Sequence, residues 1–91
     1  MSENQIRVMV IDDERIVGKR LRPALEKSGY EVETFEDAVA AMERFDREPF
    51  QIVVTDIRMD EMDGLEVLER VTDRAPDTKV VVITGYATVE M

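Results

Sequence analysis

Two apolar runs in this chain of 91 residues end in bare carboxylates. Val8-Met9-Val10-Ile11 leads into Asp12 and Asp13, and Ile52-Val53-Val54 leads through Thr55 into Asp56. A third run, from Val80 to Ile83, ends in the hydroxyl of Thr84. Carboxylates gathered in one place repel one another unless a cation sits among them, and a hard divalent ion resolves the conflict. Mg2+ takes one or two carboxylates, a carbonyl and waters, and leaves positions for phosphate oxygens. The chain has no histidine and no cysteine. Imidazole and thiolate chemistry and a Ser-His-Asp triad are therefore excluded. The remaining nucleophile is a carboxylate, which is already ionised and needs no general base. The pattern points to Mg2+-assisted phosphoryl chemistry at Asp12, Asp13, Asp56 and Thr84. Acids also follow strands because loops are wet, and Asp caps helices well. What distinguishes these four residues is that each lies at the end of an expected strand.

The elements that must position them are legible from periodicity. Ile6–Ile11 is a short apolar run. Val17, Leu21 and Leu25 recur every four residues along Arg15–Ser28, one face of a helix. Pro23 lies inside that helix and is expected to bend or divide it, and Gly29 ends it as a left-handed cap. Tyr30, Val32 and Thr34 alternate with Glu31 and Glu33, which reads as a strand at a sheet edge. Ala38, Ala41, Met42 and Phe45 mark a helix over Asp37–Arg47, ended by Pro49. Gln51–Asp56 reads as a buried strand. Asp63 caps a third helix with Glu66 three residues on, and Leu65, Leu68 and Val71 give its apolar face. Lys79–Thr84 reads as a fully buried strand, and "YATVEM" as the start of a further helix. The order β-α-β-α-β-α-β-(α) implies a doubly wound parallel sheet with helices on both faces. In such sheets, sites form outside the carboxyl ends of the strands. Neighbouring first and third strands would bring the acids and the hydroxyl into one crevice.

Composition narrows the partners. Apolar residues make up 44% and charged residues 36%, the mix of one globular domain spanning 1–91. With 21 acids against 12 bases, the net charge is −9, which repels phosphate backbones and suits cations and basic surfaces. Direct nucleic-acid binding is not expected. The N-terminus does not read as a signal peptide and no run reaches membrane length, so the expected location is the cytoplasm. A calcium-loop reading of "RMDEMDG" fails, because the first ligand position counted back from Gly64 is Met59 and the closing glutamate position is Arg70.

The segments "VIDDE", "VVTDIRMDEMDG" and "VVVITGYAT" together resemble the receiver domain of two-component response regulators, from Val8 to Met91. The resemblance implies a flavodoxin-like strand order 2-1-3-4, with the family's fifth strand and last helix missing from this chain. It implies that Asp56 accepts a phosphoryl group from a sensor histidine kinase or phosphotransfer protein. Asp13, Asp56 and the backbone carbonyl of Arg58 would bind Mg2+, with Asp12 acting through a metal-bound water. Thr84 would hydrogen-bond the phosphoryl group, and the N–H groups of Arg58 and Gly85 would help to cradle it. The side chains of Arg58 and Tyr86 would tune the lifetime of the acyl phosphate. "ITGYATVE" further resembles receivers that precede ATP-dependent transcription activators. Such a module is not an enzyme in the ordinary sense. It assists its own phosphorylation and dephosphorylation and switches an output domain or a separate chain.

The chain departs from the family in two places. Asp60 stands where a proline is usual. The family's lysine at the end of its fifth strand has no counterpart, since Lys19 and Lys27 lie in the first helix and Lys79 starts a strand at the far end of the sheet. A last helix covering about 500 Å2 of apolar surface would contribute roughly 12 kcal/mol at about 25 cal/mol per Å2. The expectation is a receiver incomplete at its C-terminus, covered by a continuation of the chain or by another copy as a homodimer. Two other functions compete. A degenerate receiver would serve as a binding or dimerisation module without phosphorylation. A small-substrate phosphatase of the aspartyl-phosphate type usually wants an acid two residues after the nucleophile, where this chain has Arg58.

Overall fold

The computed structural model describes residues 5–13, 15–57, 62–83 and 88–90. The elements follow in the order β1 (Arg7–Ile11), α1 (Arg15–Lys27), β2 (Glu31–Phe35), α2 (Ala38–Arg47), β3 (Ile52–Asp56), α3 (Gly64–Arg74), β4 (Lys79–Ile83) and β5 (Thr88–Glu90). Strands β1 to β4 are parallel and lie in the order β2-β1-β3-β4, as expected. The connection from β1 to β2 runs one way along the sheet and every later crossover runs the other. Right-handed crossovers then put α1 on one face and α2 and α3 on the other.

Local chemistry sets the helix ends. Asp37 Oδ1 accepts from the Val39 N–H at 2.9 Å and Asp63 Oδ1 accepts from the Glu66 N–H at 2.9 Å, each satisfying a donor that the helix itself leaves unpaired. Helix α1 ends at Gly29, whose φ of +98° suits a residue without Cβ. The N–H of Gly29 donates to the Glu26 carbonyl and that of Tyr30 to the Leu25 carbonyl, closing the helix with paired carbonyls. Pro23 does not divide α1, which runs unbroken from Arg15 to Lys27. The proline is exposed, so the carbonyl it leaves unpaired one turn earlier can turn to water.

The two faces of the sheet are unequally covered. Met9, Ile11, Val53, Val80 and Val82 are buried beneath Ala41, Met42 and Phe45 of α2 and Val67 and Val71 of α3. On the opposite face, Leu21 and Leu25 of α1 pack on Val8, Val10 and Val32. Helix α1 lies chiefly over β2. Ile52, Val54, Val81 and Ile83 are therefore only half-buried, whereas the sequence suggests fully buried runs. An apolar run reads alike whether one or both of its faces meet a helix.

The edge of β4 also differs from expectation. Instead of starting a helix, Thr88–Glu90 forms β5, antiparallel to β4 with Ile83 opposite Thr88 and Val81 opposite Glu90. A free β4 edge would leave a row of backbone donors and acceptors unpaired. Three residues, two of them β-branched, pair with that edge as a strand.

At the amino ends of the strands, Arg7 lies over the Phe50 ring at 4.1 Å and Arg44 approaches the same ring at 5.4 Å. Arg44 donates through Nε and a terminal nitrogen to the two carboxylate oxygens of Glu33, at 3.0 and 2.9 Å. Arg7 pairs with Glu48 at 2.9 Å. Sequence periodicity suggests Arg44 as a solvated helix residue, but the tertiary fold gives it a bidentate partner from β2. Hydrogen bonding to Glu33 holds its guanidinium protonated more firmly than usual, against the opposing effect of desolvation. Replacing Arg44 with Met keeps the stem and removes the fork. The expected cost is about 1 kcal/mol, read as a fall in Tm of roughly 4–8 °C by circular dichroism. An unchanged Tm would show the pair to be neutral, as many exposed pairs are.

Candidate metal centre

Strand register builds the site. In the parallel β1–β3 ladder, Ile11 lies opposite Thr55, so the next residues, Asp12 and Asp56, leave the sheet side by side. Asp13 follows directly. One carboxylate oxygen from each of Asp12, Asp13 and Asp56 lies within 4.8 Å of the other two. Asp12 is buried, Asp56 half-buried and Asp13 exposed, so the cluster opens to solvent on one side.

Two unit charges about 5 Å apart repel by roughly 1 kcal/mol in water and about 3 kcal/mol at an effective dielectric constant of about 20. The fold nevertheless holds all three. The oxygens of an octahedral Mg2+ shell lie at most about 4.2 Å apart, twice the usual bond length of about 2.1 Å. The observed span is only slightly wider, and closes with small side-chain adjustments or one intervening water. All three donors are hard carboxylate oxygens, and the site has neither nitrogen nor sulfur donors to favour a softer metal. The residues fit a hard divalent cation.

Backbone contacts fix the acids. The Asp12 N–H donates to the Phe35 carbonyl at 3.0 Å, which ties the end of β1 to the end of β2. The Ile57 N–H donates to the Ile83 carbonyl at 2.9 Å, and the Gly64 N–H to the Ile57 carbonyl at 3.0 Å. The buried Thr55 hydroxyl donates to the Asp56 carbonyl at 3.0 Å. Gly64 opens α3 directly against this turn. A Cβ at that position would lie 2.5 Å from the Asp56 carbonyl oxygen and 2.9 Å from the Ile57 Cα. Glycine is needed there because backbone meets backbone.

Asp12, Asp13 and Asp56 thus come together. Arg58, Thr84, Gly85 and Tyr86 lie outside the described residues. Periodicity marks neither Gly64 nor the Phe35 carbonyl as part of the site. Gly64 had a signal, a glycine just inside a helix start where better helix formers are available. The Phe35 contact had none, since a main-chain acceptor is independent of residue type.

A family model described as "Response regulator receiver domain" matches residues 8–91. The chain belongs to that family. It is 42% identical over 85 residues to the response regulator receiver protein CpdR of Brucella abortus, covering 93% of this chain and 71% of that one. It is 35% identical over 89 residues to the alginate biosynthesis transcriptional regulatory protein AlgB of Pseudomonas syringae, covering 98% of this chain and 20% of that one. A CheY-like receiver domain protein from Methanospirillum hungatei superposes with a TM-score of 0.86 at 31% identity, covering 92% of this chain and 67% of the other. This receiver domain carries its acids where its parallel strands end, and the family match runs from the second residue of β1 through β5.

In this receiver, Gly64→Ala tests the close approach. An exposed helical Gly→Ala change stabilises by up to about 1 kcal/mol. Here the added methyl meets backbone that cannot step aside, and the expected effect is a loss of about 1–3 kcal/mol. Urea unfolding gives the sign directly, and a stabilised variant would contradict the packing described.

Proposed function

We propose that this receiver is a phosphorylation-controlled switch in which Asp56 accepts a phosphoryl group at a divalent-cation site formed with Asp12 and Asp13. The convergence of the three carboxylates carries the reading. The cation is Mg2+, which when bound neutralises the acids and offsets charge on the transferring phosphoryl group. Asp13, Asp56 and the backbone carbonyl of Arg58 would hold it, with Asp12 acting through a metal-bound water. The hydroxyl of Thr84 hydrogen-bonds the phosphoryl oxygens. Register favours this role, because Ile83 lies opposite Asp56 and Thr84 is the next residue.

The donor is a phosphohistidine on a sensor kinase or phosphotransfer protein, since this chain has no histidine. A carboxylate oxygen of Asp56 attacks phosphorus in line. The new O–P bond forms as the P–N bond breaks, and the donor imidazole, protonated on its other ring nitrogen, leaves as the neutral base. Asp56 enters the reaction ionised, so its own activation requires no proton transfer. What the protein supplies is position and charge compensation. The acyl phosphate is later removed by water.

Among the described residues no helix is long and apolar enough to cross a membrane. We place the receiver in the cytoplasm, with an output in a further domain or a partner chain. AlgB, of which this chain matches only 20%, is a transcriptional regulatory protein, and a transcriptional output is the form we propose here. The half-buried strip of Ile52, Val54, Val81 and Ile83 makes a second copy of the chain a further partner.

Incubation with Mg2+ and acetyl phosphate, followed by intact-mass measurement, is expected to show the gain of one phosphoryl group. Asp56→Asn should abolish the gain, and chelation of Mg2+ should suppress it. No gain in the presence of bound Mg2+ would leave only a binding module. Asp13→Asn removes a ligand charge and is expected to weaken Mg2+ binding by tenfold or more in a calorimetric titration. Unchanged affinity would place the ion elsewhere.

A further inference from the structure

Thr55 places a hydroxyl where its neighbours in register are apolar. It lies opposite Ile11 on β1 and Val82 on β4, both buried, and its side chain shares the face of Val53 beneath α2 and α3. Thr55 itself is fully buried. Valine has the same shape and would fill this space without a polar group to desolvate. The hydroxyl therefore calls for a reason other than packing.

Its described bond is donated to the Asp56 carbonyl, 3.0 Å away. That carbonyl belongs to the planar peptide unit joining Asp56 to Ile57. The N–H of the same unit donates to the Ile83 carbonyl at 2.9 Å. Both ends of one peptide are thus held, its oxygen by a side chain of β3 and its hydrogen by the backbone of β4. The oxygen also lies against the first turn of α3, since a Cβ on Gly64 would come within 2.5 Å of it. With this plane fixed, the backbone leaving Asp56 is fixed, and the carboxylate keeps only its side-chain torsions. The bond to Ile83 is main chain to main chain and does not depend on residue type. The bond from Thr55 depends on one hydroxyl.

We propose that Thr55 is a positioning residue for phosphoryl transfer to Asp56, its hydroxyl holding the 56–57 peptide so that the Asp56 carboxylate stays beside those of Asp12 and Asp13. The role rests on the reading of Asp56 as the acceptor at a cation site. Thr55 touches neither phosphorus nor cation, because its side chain points into the core, and it acts through the backbone of its neighbour. Without the hydroxyl the carbonyl loses a donor, the peptide tilts, and the carboxylate leaves the line of attack. Misplacement by about 1 Å costs a reaction of this kind about a hundredfold.

Two comparisons isolate the hydroxyl. Thr55→Val removes it at constant shape, while Thr55→Ser and Thr55→Ala both lose the methyl and differ from each other only in the hydroxyl. Each chain is incubated with saturating Mg2+ and acetyl phosphate, and the phosphoryl gain is followed over time by intact mass. The rate is expected to fall about fivefold or more from the original chain to Thr55→Val and from Thr55→Ser to Thr55→Ala, and to agree within about twofold between the original chain and Thr55→Ser. Thr55→Ser should nonetheless unfold at lower urea than the original chain, because it leaves a cavity. A side chain that only stabilised the fold would not spare the rate in that variant. The 13C shift of the Asp56 carbonyl is a second readout, since a carbonyl carbon moves upfield when it loses a hydrogen bond. It should move in Thr55→Val and Thr55→Ala and stay in place in Thr55→Ser. Circular dichroism shows which variants fold, and if Thr55→Val does not, the other pair decides alone. Equal rates within the pairs, in an original chain that is phosphorylated, overturn the positioning role and leave the acceptor reading intact. An original chain that gains no more phosphoryl group than Asp56→Asn overturns both.

Discussion

The structure turns on a repulsion that the sheet imposes and does not itself relieve. Parallel pairing of β1 with β3 in one register forces Asp12 and Asp56 out of the sheet as neighbours, with Asp13 beside them. A slip of one residue would turn every side chain of a strand to the opposite face, so the hydrophobic core holds the acids in place. Burial of Met9, Ile11 and Val53 beneath α2 and α3 thus maintains an arrangement of like charges that the carboxylates alone would not adopt. A site of this kind fits a hard divalent cation.

The surrounding backbone makes that arrangement rigid where rigidity matters. Gly64 brings the first turn of α3 against the Asp56 carbonyl, and Thr55 and Ile83 engage the same stretch of chain from the sheet. The first turn of α3 and the end of β3 are therefore in direct backbone contact at the proposed acceptor. At the opposite ends of the strands, Arg7, Arg44, Glu33, Glu48 and Phe50 tie β1, β2 and α2 together, far from the chemistry. One end of the sheet carries paired charges, and the other gathers three carboxylates.

Much of this was legible in the residues. Periodicity gave the alternation of strands and helices, Asp37 and Asp63 announced their helices, and Gly29 announced an ending. The absence of histidine and cysteine left carboxylates as the only strong nucleophiles. The misreadings have physical causes. The apolar runs of β3 and β4 look fully buried because valine and isoleucine suit a strand whether one face or two is covered. "YATVEM" reads as a helix start, but the unpaired edge of β4 recruits Thr88–Glu90 as a strand. Arg44 reads as solvated because its partner Glu33 is on another element.

The sequence by itself determined which chemistry was available, which segments would be strands or helices, and that the carboxylates would lie at strand ends. These follow from side-chain type and local periodicity, which act over a few residues. Only the tertiary structure decided that Asp12, Asp13 and Asp56 form one cluster, that Gly64 must lack a side chain, and that α1 leaves a cavity beside Asp12. Those outcomes depend on strand order, register and the approach of distant backbones, which are settled by packing the whole core at once.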